Sequence, residues 1–289
     1  MNKSTSFNQI LKYALKQDLG PKGDVTTNAT IATNQQATAK FIVKGQHGII
    51  SGLNVAEQIF KLVDPKISFT PLLHNGDSVK TGDTVATLSG PARSILAGER
   101  VSLEFLRRMS GIATKTRLFT KALQKTKTTL LDTRKVMPGF GELDKQAVRD
   151  GGGKNHRLNL SEMGLVKNNH IDILNGNIPE AIRLFRQKYP SIPLEIEVRN
   201  KKELKDALNG NPDRIMLDNM DNNALQNSVQ LRDEYFKKTG KNIPLEASGN
   251  MSLDRINPVA KTGVDYISVG SLTHSVDAFD ISLHISFNK

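Results

Sequence analysis

The sequence predicts an α/β protein whose second half is a parallel barrel. From about residue 129 onward, short apolar strands alternate with helical stretches at the spacing of βαβ units. Six or more such units in series favour a barrel over an open sheet. Each strand also ends in polar or small residues that a buried apolar strand does not need, and in a parallel barrel such ends converge on one face. The length, 289 residues, suits one barrel plus an accessory domain.

Taken in order, residues 5–19 read as an amphipathic helix with Ile10, Leu11, Ala14, Leu15 and Leu19 along one side and Gly20-Pro21 as its stop. Between Asp24 and about Ala92 the texture changes to short alternating stretches, with strands expected at 39–43 and 66–69. The phrase Asn75-Gly76-Asp77-Ser78-Val79 is echoed by Thr81-Gly82-Asp83-Thr84-Val85, which predicts tight hairpins. Swinging-arm carrier domains share that texture, but no lysine stands at a hairpin tip here. A helical region follows from Ser94 to about Leu123, expected to break at Ser110-Gly111. The barrel strands are then 129–132, 164–167, 194–198, 214–218, 244–248 and 265–270, with helices expected at 179–188, 201–208, 222–238 and 252–261.

Composition removes several classes of function. No apolar run approaches the roughly 20 residues of a membrane helix. The absence of cysteine excludes thiolate nucleophiles, disulfide scaffolds, zinc ribbons and iron–sulfur clusters. No secretory signal is visible in the first twenty residues, so the default expectation is cytoplasmic. Forty basic against 29 acidic residues give a net charge of +11, which points to an anionic partner. Nucleic acid is a poor fit, because there is no tryptophan, aromatics are 5% and no long Lys/Arg run occurs.

The polar strand ends sort by charge. Arg134, Lys135, His156, Arg157 and Lys167 form a basic group suited to a small substrate with more than one negative charge. Lys135 could also be a surface lysine, and His156 a satisfied structural histidine. Three glycines, 151–153, let backbone approach a ligand. Glu197 and Asp218 end successive strands. They could hold Mg²⁺ with waters and substrate oxygens, stabilise a developing sugar cation, or form a salt bridge with Lys167. Ser248-Gly249-Asn250 and Gly270-Ser271 follow the last two strands, where barrels commonly bind phosphate.

These residues resemble a known family. The segments Asp132-Thr133-Arg134-Lys135, Pro138-Gly139 and Ala147 to Leu158 are closely similar to quinolinate phosphoribosyltransferases, the decarboxylating nicotinate-nucleotide pyrophosphorylases. So are Glu99-Arg100, 110–114, 167–171, 245–250 and 267–270, and the likeness runs from about Asp24 to Leu283. It implies transfer of phosphoribose from phosphoribosyl pyrophosphate to quinolinate with Mg²⁺, giving nicotinate mononucleotide, pyrophosphate and CO₂ on the de novo route to NAD. It implies an incomplete α/β barrel at 113–275 with an N-terminal α/β sandwich domain at 1–112 joined by 276–289. It also implies a homodimer. By the same resemblance Arg134, Lys135, His156, Arg157 and Lys167 hold the quinolinate carboxylates, and Arg100 is donated across the dimer interface. Glu197 and Asp218 lie near ribose and metal, with Lys135 joining them as a catalytic group. Ser248, Gly249, Asn250, Gly270, Ser271 and His274 bind phosphate. Where the family often has two threonines and Leu-Arg, this chain has Val136-Met137 and Phe140-Gly141.

Three other readings compete with this one. A molybdenum-transport-associated paralogue shares the fold, but the intact Gly153 to Arg157 segment favours quinolinate. A nicotinate phosphoribosyltransferase would need fewer cations for its single carboxylate. A basic nucleic-acid-binding module leaves the paired acids unexplained. The expectation is therefore an enzyme with no nucleic-acid partner and no membrane association.

Overall fold

The computed structural model describes residues 3–287. The chain divides into two compact units, one formed by residues 1–115, 138–152 and 276–289, the other by 116–137 and 153–275.

The first unit opens with α1 (Lys3–Leu19), which buries Leu11 and Leu15, one helical turn apart, and stops at Gly20 with φ 58°. Helix α2 (Val25–Thr30) begins at Asp24, whose carboxylate accepts the Thr27 N–H at 2.9 Å. Strand β1 (Gln36–Val43) alternates, with Ala37, Ala39, Phe41 and Val43 inward. After β2 (His47–Ile49), α3 (Leu53–Val63) buries Val55, Ala56, Ile59 and Phe60. Then come β3 (Ser68–Pro71), β4 (Ser78–Lys80) and β5 (Thr84–Pro91). Phe41 and Phe60 meet edge to face at 6.1 Å in this core. Each full aromatic burial of this kind is worth about 1.5–3 kcal/mol.

The echoed Gly-Asp phrases do not make hairpins. Strand β4 pairs with β2, whereas β5 pairs with β1 and β3. What repeats is a turn: Asp77 accepts the His74 N–H at 2.8 Å and Asp83 accepts the Lys80 N–H at 2.9 Å. Gly76 and Gly82 supply φ values of 97° and 90°.

Helix α4 (Ala92–Leu123) runs without the expected break at Ser110-Gly111. Ser110 Oγ accepts the Ser51 N–H at 3.0 Å, and a side chain at Gly111 would collide with the Asp277 carbonyl. Here the glycine permits close approach and leaves the helix intact.

Strand β6 (Thr129–Leu131) starts the second unit's sheet. Helix α5 (Gly141–Asp150) follows in sequence but belongs to the first unit. Arg108 grips Asp144 through two hydrogen bonds of 2.9 and 2.7 Å, Ser51 donates to Asp150 at 2.6 Å, and Phe140 stacks on Phe105 at 5.4 Å. The sequence range 113–275 thus contains a stretch, 138–152, whose contacts lie elsewhere.

The remaining strands are β7 (Gly164–Val166), β8 (Leu194–Val198), β9 (Arg214–Asp218), β10 (Leu245–Ser248) and β11 (Tyr266–Ser268). Between them run α6 (Asn168–Ile173), α7 (Ile178–Lys188), α8 (Lys201–Gly210), α9 (Asn222–Thr239) and α10 (Leu253–Ala260), and α11 (Ser271–His274) follows β11. Asn177, Asn200, Asp221 and Ser252 each cap a helix by accepting an N–H three residues on. The parallel sheet has the order β6-β11-β10-β9-β8-β7, with β6 and β7 as its two edges, so it does not close. Strand β12 (Ile281–Phe287) returns to the first unit and gives the antiparallel order β12-β1-β5-β3. An incomplete parallel barrel and a separate antiparallel sheet unit agree with the expected fold class.

Candidate active site

A cavity of about 620 Å³ lies in the second unit, walled by the loops that follow its strands. Arg134, Lys135, His156, Arg157, Lys167, Glu197, Asp218, Ser248, Gly249, Asn250, Gly270, Ser271 and His274 all line it. Arg100 does not. It sits on α4 in the first unit, exposed and 3.3 Å from Glu104.

The basic wall is built outward from a buried aspartate. Asp132, fully buried just after β6, accepts the His156 N–H and the Asn155 side-chain amide, both at 2.7 Å. This fixes the segment carrying His156 and Arg157 against the end of β6, where Leu131 also bridges to Lys154. The Arg157 guanidinium donates to the Met163 carbonyl at 2.7 Å. Burial, and the Arg134 charge beside it, lower the Arg157 pKa from its ordinary value, yet so basic a group stays charged. Lys135 lies across Gly270, where a Cβ would come within 2.8 Å of its Cδ. Its carbonyl accepts from Thr273 Oγ1 at 2.8 Å, tying this loop to α11.

On the acidic wall the β8–β9 register pairs Glu197 with Met216. Asp218, two residues further, therefore shares its face. Glu197 is buried, accepting from Lys167 Nζ at 2.5 Å and from the Asn168 N–H at 3.3 Å. The lysine is half exposed, so solvent screens this ion pair, which is worth about 1 kcal/mol or less.

The small-residue wall depends on a residue that the sequence reading did not single out. Asn219 adopts φ 54° and donates its amide to Asp218 Oδ2 at 3.0 Å. It abuts Gly249 so closely that any side chain there would strike it, and Gly249 itself needs φ 104°. Arg255 donates to the Gly249 carbonyl at 3.0 Å and the Met220 carbonyl at 2.7 Å, linking the two loops from behind. Because a trans peptide points its N–H opposite its C=O, the amide between Gly249 and Asn250 turns its N–H away from Arg255.

Two further acids were not picked out. Glu195 and Glu246 are both fully buried, and Glu246 reaches the cavity wall. Burial pushes the Glu195 carboxyl up to about 7 and, with the neighbouring Glu195 charge, pushes Glu246 up to about 7. The period of two was the available signal, since Glu195 shares a strand face with Glu197, and Glu246 with Ser248. Arg214 donates to Glu246 at 2.9 Å and lies 4.3 Å over the Tyr266 ring.

Cations, acids and exposed loop amides around one cavity can bind a dianion, a sugar and a phosphate together. Residues 24–110 match the family model "Quinolinate phosphoribosyl transferase, N-terminal domain", and 112–284 match the C-terminal domain model. A rice chloroplastic nicotinate-nucleotide pyrophosphorylase [carboxylating] is 40% identical over 295 residues, covering 96% of this chain and 76% of its own. A tobacco quinolinate phosphoribosyltransferase [decarboxylating] is 39% identical over 290 residues, covering 96% and 81%. The solved nicotinate-nucleotide pyrophosphorylase of Francisella tularensis superposes with a TM-score of 0.90 at 34% identity, over 99% of this chain and 98% of that one. Matched by both domain models along nearly its whole length, the chain is a member of the quinolinate phosphoribosyltransferase family.

Proposed function

We propose that this cavity transfers phosphoribose from phosphoribosyl pyrophosphate to quinolinate and then releases CO₂, giving nicotinate mononucleotide for NAD synthesis. The convergence of Arg134, Lys135, Arg157 and Lys167 opposite Glu197 and Asp218 in one cavity carries the reading. Quinolinate has two carboxylates, and two arginine forks with two lysines can match both.

The pyridine nitrogen attacks the anomeric carbon as the bond to pyrophosphate breaks, and the leaving oxygen keeps the electron pair. Positive charge grows on the sugar, where Glu197 and Asp218 stabilise it from one strand face. The ring nitrogen, now cationic, accepts the electrons left when CO₂ departs from the adjacent carbon, and that carbon then takes a proton. Ser248, Gly249, Asn250, Gly270, Ser271 and His274 form the wall that meets phosphate charge.

Hard carboxylate oxygens suit Mg²⁺. Glu197 is engaged by Lys167 and Asn168, so Asp218 is the better direct ligand, with Glu197 acting through water. When bound, the ion neutralises pyrophosphate charge. The reading includes a homodimer in which Arg100 of one protomer completes its partner's cavity, and a cytoplasmic location. Among the described residues no helix is long and apolar enough to cross a membrane.

The direct test is CO₂ release from quinolinate. It should occur only with phosphoribosyl pyrophosphate and Mg²⁺ present. Equal turnover of nicotinate, or none of quinolinate, would overturn the assignment.

A further inference from the structure

His156 lines the cavity, yet neither of its ring nitrogens is available to a ligand. Nδ1 lies 2.8 Å from the Arg157 backbone nitrogen and accepts its N–H. An accepting nitrogen carries no proton, so the ring is neutral and its proton sits on Nε2. That N–H points at two fully buried carboxylates, Glu195 Oε2 at 2.9 Å and Glu246 Oε2 at 3.5 Å. Glu246 is steadied in turn by Arg214 at 2.9 Å. The backbone of His156 is fixed independently by Asp132.

His156, Glu195 and Glu246 bring one ligand atom each within 4.8 Å of one another, a grouping that could suggest a metal site. The tautomer argues against it. A metal on Nε2 would move the ring proton to Nδ1, and Nδ1 could then no longer accept from Arg157. Direct donation to a substrate carboxylate fails for a similar reason, because the one ring proton is already given to Glu195.

We propose that His156 is a positioning residue: Glu195 and Glu246 hold its Nε2 proton, which leaves the Nδ1 lone pair to fix the Arg157 backbone and so aim the guanidinium at a quinolinate carboxylate. The inference rests on the substrate assignment above. The acids act at the far end of a relay, Glu195 to His156 to Arg157, and touch no substrate.

Two substitutions separate this from direct contact. In His156→Asn the amide oxygen falls near the position of Nδ1 and keeps an acceptor for the Arg157 N–H. In His156→Gln the amide reaches the Nε2 position and can donate there, but nothing accepts at Nδ1. Removing the ring in His156→Ala should raise KM for quinolinate about tenfold or more, the size of a weakened charge-assisted contact, with KM for phosphoribosyl pyrophosphate little changed. Asparagine should recover most of that loss and glutamine should not. Recovery by glutamine and not by asparagine would make His156 a direct donor and overturn the proposal.

A second measurement needs no turnover. In ¹⁵N-histidine-labelled protein at neutral pH, the ring correlation assigned by its absence from His156→Asn should show a protonated Nε2 and a bare Nδ1. The opposite tautomer, a doubly protonated ring, or stoichiometric bound metal lost in Glu246→Gln would each overturn it. A correct tautomer in a protein that does not turn over quinolinate would place the failure in the substrate assignment, leaving the ring's orientation intact.

Discussion

Single residues in this cavity do separable jobs, and charge tells them apart. Arg134 and Arg157 are the forks that fit carboxylates, so Arg134→Ala or Arg157→Ala should raise KM for quinolinate about 10- to 100-fold while sparing that for phosphoribosyl pyrophosphate. Steady-state kinetics with each substrate varied in turn checks this, and equal losses for both would contradict it. On the proposed reading, Glu197 and Asp218 act on charge that exists only in the transition state. Glu197→Gln and Asp218→Asn should each lower kcat on the order of 10²-fold with a smaller change in KM. If Glu197 served only to pair with Lys167, its amide would lower the melting temperature and leave kcat nearly intact. Lys167, Glu197, Asp218 and Ser248 were legible because they stand at or next to the end of a strand and close an apolar run. Glu195 and Glu246 were harder to read. They lie inside strands, and a buried acid within an apolar run looks like an interruption unless the two-residue period is followed. Asn219 gave no compositional signal, because its importance lies in a backbone angle and in the absence of a side chain at Gly249.

At the level of elements, periodicity located nearly every helix and strand of the second unit to within a residue or two. Helices α2 and α3, in a stretch read as strands, and α5, α6, α11 and β12 were not read from the sequence, whereas the two misread glycine signals share a cause. Glycine was read as punctuation where it serves contact, as in α4, and Gly-Asp was read as a hairpin where it makes a turn between strands of different sheets. Local sequence does not report which distant backbone will press against a given residue. The difference is testable at Gly111. In an ordinary helix interior, alanine for glycine stabilises by about 1 kcal/mol. Here the added methyl meets the Asp277 carbonyl, so Gly111→Ala should destabilise instead, by roughly 1–3 kcal/mol. A raised melting temperature would show that the approach of residue 277 is not required.

For the whole molecule, the buried acid pair links stability to pH. Burial pushes both carboxyls up to about 7 in the folded protein, against the ordinary glutamate value of 4.5. Between those values the folded state holds more protons than the unfolded state. Stability therefore falls as pH rises through that window and stays lower above it. Relative to the parent protein, Glu246→Gln should look progressively better in thermal melts between about pH 5 and pH 8; a flat difference would mean that the pair is not protonated as described. The shared-site reading predicts that mixing inactive Arg100→Ala and Lys135→Ala subunits restores part of the activity, since one hybrid site keeps both residues. No recovery after verified subunit exchange would remove it. The closing strand carries a last consequence, for synthesis on the ribosome. Strand β12 pairs Phe287 with Ala37, a separation of 287 − 37 = 250 residues. At about 5–20 residues per second, β1 waits some 12–50 s with one hydrogen-bonding edge bare. Until Phe287 has been made, that edge of β1 has no partner strand and stays open to pairing with a neighbouring chain.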